Sequence, residues 1–423
     1  MSTQDQAGAG SGGHGPGGNR PGGAGPGGTG SGGTGSGGHG PGGHGLGFAT
    51  RAIHAGQEPD PLTGAVVTPI HLATTYAQQA VGSHKGFDYS RTRNPTRVSL
   101  ETTIASLEGA DRGFAFSSGM AAVDAVLRLL HPGDHLIIPS DAYGGTYRLV
   151  ASLYAGSGVS FSPVDLQDLD ALRATWRDET RLVWLETPSN PKLQIIDIGA
   201  VAGLAHERGA RCVVDNTFAT PFLQLPVALG ADAVVHSSTK YLGGHSDVVG
   251  GLVVTSDEEL ADHLGFVQNS AGAVPSPFDC YLVQRGLKTL EVRLLRQCAS
   301  ARVIADHLAG HPAIEEVYYP GLAGNPGHQL ASRQMRDYGA MVSFTLKGGE
   351  AAALKVAAGT RLFTLAESLG AVESLIELPA KMTHSSVAGS ELEVDPSLIR
   401  LSVGLEEIHD LLDDLDQALG LAR

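Results

Sequence analysis

Between residue 110 and about residue 260, short apolar runs alternate with helical patterns, and no other feature of the chain constrains its fold as strongly. Runs at 113–116, 134–138, 159–164, 181–186, 211–215, 232–236 and 249–254 read as strands, and 119–131, 143–156, 168–175 and 198–208 read as helices. Strands that are apolar throughout belong to a sheet covered on both faces, and helical connections of this length join parallel neighbours. The expected fold class is therefore α/β, with a large, mostly parallel sheet.

The flanks read differently. Residues 48–110 are rich in Thr, Arg and Pro and suggest an irregular arm followed by a helix near Ser99–Leu107. A long helical region at 278–309, carrying Arg285, Lys288, Arg293 and Arg296, follows the sheet. From about 312 the pattern is that of a smaller α+β unit. Its strands are expected at 314–318, 340–346 and 398–403 and its helices at 349–357 and 406–420, the last with Ile408, Leu411, Leu412, Leu415 and Leu419 in helical spacing. The expected division is a tail at 1–47, the arm and helix at 48–110, an α/β domain at 111–290 and a C-terminal α+β domain at 291–423. Of 58 glycines, 23 fall in the first 47 residues, a stretch too poor in apolar groups to offset its ordering entropy, so the tail is expected to be disordered. His14, His39 and His44 read as incidental residues of a spacer. A formal net charge of −15 argues against a nucleic-acid partner. The chain has no 18-residue apolar run and no signal-peptide pattern, so no membrane partner is expected. Cys212, Cys280 and Cys298 show no metal-like spacing; they read as reduced thiols of a cytoplasmic protein, with no metal expected.

The chemistry gathers at 211–250. One strand ends in Asp215 and another in Ser237-Ser238-Thr239-Lys240, and ligands of open α/β sheets bind beyond the carboxyl ends of the strands. Taken alone, Lys240 reads as a surface lysine and Asp215 as a strand-end cap. Together they match what pyridoxal 5'-phosphate asks of a protein: an imine-forming lysine, a carboxylate at the pyridine nitrogen and a phosphate cradle. The stretch Phe116-Ser117-Ser118-Gly119-Met120 leaves a strand and opens a helix whose free amides suit a phosphate, with Ser237 and Thr239 as added donors.

At 48–423 the chain resembles the γ-subfamily of fold-type I pyridoxal-phosphate enzymes of cysteine and methionine metabolism, which includes cystathionine γ-lyase, cystathionine γ-synthase and methionine γ-lyase. The motifs that carry the resemblance are YSRTRNPTR (89–97), SSGMAA (117–122), DAYGGTYR (141–148), ETPSNP (186–191), VVDNTFATP (213–221), SSTKYLGGHSD (237–247), LAESLGAVESL (365–375) and IRLSVGLE (399–406).

The resemblance implies a fold-type I transferase-like fold and a homotetramer, a dimer of dimers whose active sites are shared between subunits. It implies Lys240 as the imine-forming and proton-moving lysine, Asp215 at the pyridine nitrogen, Tyr143 stacked on the ring and moving protons, and Gly119, Met120, Ser237 and Thr239 at the phosphate. Tyr89 and Arg91 would reach the phosphate of a neighbouring subunit. Arg400 would clamp the substrate α-carboxylate, with Asn190 and Ser368 completing that shell. Glu367 stands where cystathionine-handling members carry an acid, and it or Asp88 would accept the distal ammonium. Arg93 departs from the motif, which usually has Gly there. Gly145 stands where methionine γ-lyases typically place Cys, and 266–290 resembles γ-lyases more than synthases. The expected reaction is therefore γ-elimination of L-cystathionine to L-cysteine, 2-oxobutanoate and ammonia. The alternatives are γ-replacement of O-succinyl- or O-acetylhomoserine by cysteine, a homocysteine or methionine γ-lyase, and a catalytically dead cofactor-binding scaffold. Intact Lys240, Asp215, Tyr143 and Arg400 speak against the scaffold.

Overall fold

The structure is a computed structural model and describes residues 45–385, 389–390 and 392–422. The expected disorder of the tail falls, for residues 1–44, outside the described residues.

The arm opens with helix α1 (Phe48–His54) and leads to α2 (Pro95–Glu108). Asn94 caps α2 by accepting from the amides of Thr96 and Arg97, Pro95 occupies its first turn, and Gly109, at φ +73°, ends it. These punctuation residues carry the helix four residues further upstream than the apolar spacing alone indicated.

The large sheet has seven strands: β1 (Arg112–Phe116), β2 (His135–Pro139), β3 (Ser160–Val164), β4 (Thr180–Glu186), β5 (Arg211–Asp215), β6 (Ala233–Ser237) and β7 (Gly251–Thr255). Their order is β1-β7-β6-β5-β4-β2-β3. Only β7 runs against its neighbours β1 and β6; the other pairs are parallel. The interleaved helices are α3 (Gly119–Leu127), α4 (Gly144–Leu149), α5 (Leu169–Thr175), α6 (Ile198–Glu207) and the short α7 (Thr220–Leu223). Both faces are buried. Leu136, Trp184, Val213, Val235 and Val253 pack on the α3 side, while Ile137, Leu185, Val214, Val234 and Val254 pack on the opposite side. That period-two split inside uniformly apolar runs is what a sheet covered on two sides requires.

After β7 come α8 (Glu258–Ala271), α9 (Pro277–Leu287) and α10 (Leu290–Ala309). The helical region expected at 278–309 is thus two helices. Helix α8 is an addition that the alternation did not reveal, although Asp257 before Glu258-Glu259 and the spacing Leu260, Leu264, Val267 carry its signal. The expected helix at 143–156 is α4 followed by a π-turn at Val150–Tyr154 and a 3₁₀ turn at Ala155–Ser157.

The second sheet combines β8 (Ile314–Tyr318), β9 (Met341–Leu346), β10 (Thr364–Leu365), β11 (Leu375–Glu377) and β12 (Leu398–Ser402) in the order β10-β11-β12-β9-β8. Its helices are α11 (His328–Gln334), α12 (Gly349–Gly359) and α13 (Ile408–Leu419). Strands β10 and β11, of two and three residues, were too short to read from pattern, yet β11 places Glu377 directly opposite Arg400 of β12. Among the described residues no helix is long and apolar enough to cross a membrane.

Candidate active site

A cavity of about 230 Å³ opens beyond the carboxyl ends of β4, β5 and β6. It gathers ten of the residues singled out from sequence: Lys240, Asp215, Tyr143, Gly119, Met120, Ser237, Thr239, Asn190, Ser368 and Arg400.

Lys240 lies in a tight turn after β6, where the Gly243 amide donates to Ser238 and the Gly244 amide to Lys240 itself. The 368–370 segment presses against this turn. A side chain at Gly370, which sits at φ +81°, would stand 2.6 Å from the Tyr241 amide nitrogen, so only glycine fits. Ser368 adopts φ +91°, a left-handed conformation rare for a residue with a side chain. Its hydroxyl accepts from Lys240 Nζ at 2.6 Å and its carbonyl from Arg400 Nη2 at 2.9 Å. Burial, helped by the nearby Arg400 charge, lowers the Lys240 amine to about 8.

Arg400 is fully buried on β12. Its Nη1 donates to Asn190 Oδ1 at 2.7 Å and pairs with Glu377 Oε1 at 3.0 Å. Sequence reasoning missed Glu377, because only cross-strand pairing identifies it as the counter-ion of Arg400. It also missed His384, whose Nε2 bonds the Asn190 carbonyl at 3.0 Å and whose ring meets Tyr143 edge-on at 6.1 Å.

Asp215 and Glu186 end adjacent parallel strands in register. Asp215 Oδ1 accepts from the Thr217 amide at 2.9 Å, and burial raises its carboxyl. Burial and the charge of Asp215 also push Glu186 upward. Glu186 ties the Tyr143 loop to β4, accepting from the Tyr143 amide at 2.7 Å and from the Trp184 indole at 3.1 Å. The Tyr143 ring lies close over Gly145, where a Cβ would stand 2.4 Å from Tyr143 Cε1.

Helix α3 begins at Gly119, with Ser118 accepting from the Ala121 amide. The Gly119 and Met120 amides precede the first intrahelical bond and stay free for a ligand. A Cβ on Gly119 would lie 2.9 Å from Ser237 Cβ, so the helix start abuts the end of β6 as closely as backbone allows.

Four predicted residues lie outside this lining. Tyr89 is 45% exposed. Arg91 bonds Asn269 Oδ1 at 3.0 Å and covers the Tyr89 ring at 5.6 Å. Asp88 accepts from the Tyr89 amide at 2.7 Å, a local turn contact. Glu367 is exposed, but its charge reaches both Lys240 and Tyr143. Arg93 keeps a negative φ, and its guanidinium rests 5.4 Å from the Phe87 ring centre, so the arm accommodates it without strain.

These donors suit pyridoxal phosphate. The half-buried Asp215 carboxylate lines the cavity, and among the described residues no cation is bonded to it, as suits a partner for a protonated ring nitrogen. The lowered Lys240 amine is the nucleophile an aldehyde needs, and the α3 start offers amides to a phosphate.

The family model for Cys/Met metabolism PLP-dependent enzymes matches residues 49–420. A cystathionine gamma-synthase of Mycobacterium tuberculosis is 57% identical over 376 residues, 88% of this chain and 97% of the relative. A cystathionine beta-lyase of Coxiella burnetii is 51% identical over 375 residues, again 88% and 97%. Among solved structures, metB of Corynebacterium glutamicum superposes with a TM-score of 0.89 at 53% identity, covering 89% of this chain and 99% of that one. Cystathionine gamma synthase of Xanthomonas oryzae pv. oryzae in complex with cystathionine gives 0.87 at 46%, covering 89% and 98%. With its fold-type I architecture and a site built for that cofactor, the chain belongs to the Cys/Met metabolism PLP-dependent enzymes.

Proposed function

We propose that this enzyme works at the γ-carbon of an amino-acid substrate and that cystathionine is the compound it makes or cleaves. Relatives named cystathionine gamma-synthase at 57% identity support the forming direction, γ-replacement on an O-acylated homoserine by cysteine. γ-Elimination of L-cystathionine, the reaction expected from the motifs, is the second reading, supported by the resemblance of 266–290 to γ-lyases. One observation carries the part common to both: a single cavity brings together the lowered amine of Lys240, the buried guanidinium of Arg400 and the phenol of Tyr143.

Pyridoxal phosphate, when bound, supplies the electron sink that makes the substrate Cα proton acidic. Lys240 Nζ accepts that proton and serves Cβ in turn; an amine poised near 8 both takes and gives protons close to neutral pH. Arg400 holds the α-carboxylate, with Asn190 and Ser368 fixing the guanidinium. The Tyr143 hydroxyl moves protons at the substrate amine. Asp215 pairs with the ring nitrogen, and Gly119, Met120, Ser237 and Thr239 hold the phosphate. Tyr89 and Arg91 complete the phosphate site of a second copy within a homotetramer, which accounts for their exposure in one chain. Glu367, with Asp88 of the arm, receives a distal ammonium.

The test is a product assay on the purified holoenzyme. Cystathionine formed from O-succinyl- or O-acetylhomoserine and cysteine identifies γ-replacement, and 2-oxobutanoate released from cystathionine alone identifies γ-elimination. Pyruvate and homocysteine from cystathionine, or no product at all, overturns the proposal.

A further inference from the structure

Arg400, Glu377, Thr383, His384 and Asn190 close a ring of hydrogen bonds and one ion pair beside the cavity. Arg400 Nη1 reaches Asn190 Oδ1 at 2.7 Å and Glu377 Oε1 at 3.0 Å. Thr383 Oγ1 lies 2.8 Å from Glu377 Oε1 and 3.0 Å from His384 Nδ1. His384 Nε2 lies 3.0 Å from the Asn190 carbonyl. The ring is short of a proton. A carbonyl only accepts, so the imidazole proton sits on Nε2 and a neutral His384 has none on Nδ1. Thr383 has a single hydroxyl proton but faces two acceptors, Glu377 Oε1 and His384 Nδ1. Given to Glu377, it leaves Nδ1 unserved; given to Nδ1, it leaves Thr383 Oγ1 facing Glu377 Oε1 oxygen to oxygen at 2.8 Å, and Oε1 then keeps only its ion pair with Arg400. Among the described residues Glu377 Oε2 has no hydrogen-bond partner, and Glu377, His384 and Arg400 are buried.

We propose that this ring takes up a proton when a carboxylate docks on Arg400, so that substrate binding is coupled to protonation of Glu377. The inference rests on the reading of Arg400 as the carboxylate holder. The charged and titratable groups around Glu377 are Arg400 on β12, Lys240 after β6 and Glu367 before Ser368; those around His384 are Arg400 and Tyr143. Burial and Arg400 hold His384 down to about 4, whereas burial raises Glu377, so an added proton settles on Glu377. In the absence of a second anion, Arg400 is the strongest influence keeping Glu377 ionised. A second carboxylate on the same guanidinium weakens that hold, since two carboxylates close together in a dry site resist joint ionisation. The proton comes from solvent and forms an O–H bond on the Thr383-facing oxygen of Glu377. Glu377 then donates to Thr383, Thr383 turns its proton to His384 Nδ1, and every acceptor between them is served.

Calorimetry of butanoate, a monocarboxylate without an amine, binding to the holoenzyme near pH 7 in two buffers of different ionisation heat measures the proton count. The visible absorbance of the cofactor, followed in the same titrations, reports any proton taken at the Lys240–cofactor group. The expected result is net uptake approaching one proton per site with no matching absorbance change, and an affinity that weakens by up to about tenfold per unit of rising pH. Glu377→Gln and Thr383→Val abolish the uptake, and Glu377→Gln binds butanoate more tightly with a flat pH profile. Binding without uptake, uptake matched by the absorbance change, or uptake persisting in Glu377→Gln overturns the inference. Failure of butanoate to bind overturns the reading of Arg400 and this inference with it. The wild-type measurement stands alone if a variant does not fold.

Discussion

A single strained serine joins the two cations of the site: the hydroxyl of Ser368 meets Lys240 and its carbonyl meets Arg400. Such a conformation persists only where surrounding contacts over-determine it, and here the snug fit of Gly370 against Tyr241 supplies them. Glu367, one residue earlier, points to a smaller effect than its motif position implies. Because it is exposed, its pull on a distal ammonium is screened by water. Glu367→Ala is therefore expected to lower kcat/KM for cystathionine by no more than about fivefold relative to a substrate lacking that ammonium. Equal losses on both substrates would remove Glu367 from distal recognition. Asp141 governs stability instead. It accepts from the Ser189 hydroxyl, its Oδ1 is buried with no partner among the described residues, and burial pushes its carboxyl up to about 6. A carboxyl raised on folding favours the folded state most below its unfolded value and loses that advantage as pH rises through about 6. From pH 4 to 7 the wild type should thus lose up to about 3 kcal/mol relative to Asp141→Asn, at 1.36 kcal/mol per unit. Urea unfolding of both proteins across that range checks it, and parallel curves would refute it.

Elements deliver these residues to one place. Because β4, β5 and β6 are parallel, their carboxyl ends meet at one edge, and register sets Glu186 beside Asp215 and Asp215 beside Val235. Helix α3 enters from the same edge and can approach only because residue 119 has no side chain. Gly119→Ala places a Cβ 2.9 Å from Ser237 Cβ and should force the helix start away from the phosphate donors. The expected cost is roughly tenfold in the dissociation constant of pyridoxal phosphate, about 1.4 kcal/mol, read from an absorbance titration of the apoenzyme. Unchanged affinity would mean that the α3 amides do not hold the phosphate.

For the whole molecule, the site depends on two sheets. The large one supplies Asp215 and the turn bearing Lys240; the smaller one supplies Arg400 on β12, with Glu377 across from it. The arm is the part left over: Tyr89 and Arg91 lie outside the cavity lining of their own chain. If they serve a second copy, Arg91→Ala and Lys240→Ala chains, each inactive alone, should regain part of the wild-type rate when co-assembled. In hybrid dimers one site receives an intact arm and an intact lysine together. No recovery in verified mixed oligomers would mean that each site is built within one chain.

How much of this was legible in sequence depends on the range of the physics involved. The seven strands of the large sheet and four of the five helices among them were readable because apolar periodicity is local. The four-residue α7 was too short to show a period, and the start of α2 at Pro95 was missed because its signal lies in the caps Asn94 and Gly109 and not in apolar spacing. Lys240, Asp215 and the α3 start were readable because the ends of parallel strands are where such sheets place ligands. The counter-ion Glu377, the Thr383–His384 link and the Glu186 tie to Tyr143 were not, since each is a contact between residues far apart in the chain or a pairing across strands too short to show a period. Burial was equally invisible. The same lysine and acid would titrate normally in water, and only the enclosing tertiary structure, by removing that water, lowers the amine of Lys240 and raises the carboxyl of Asp215.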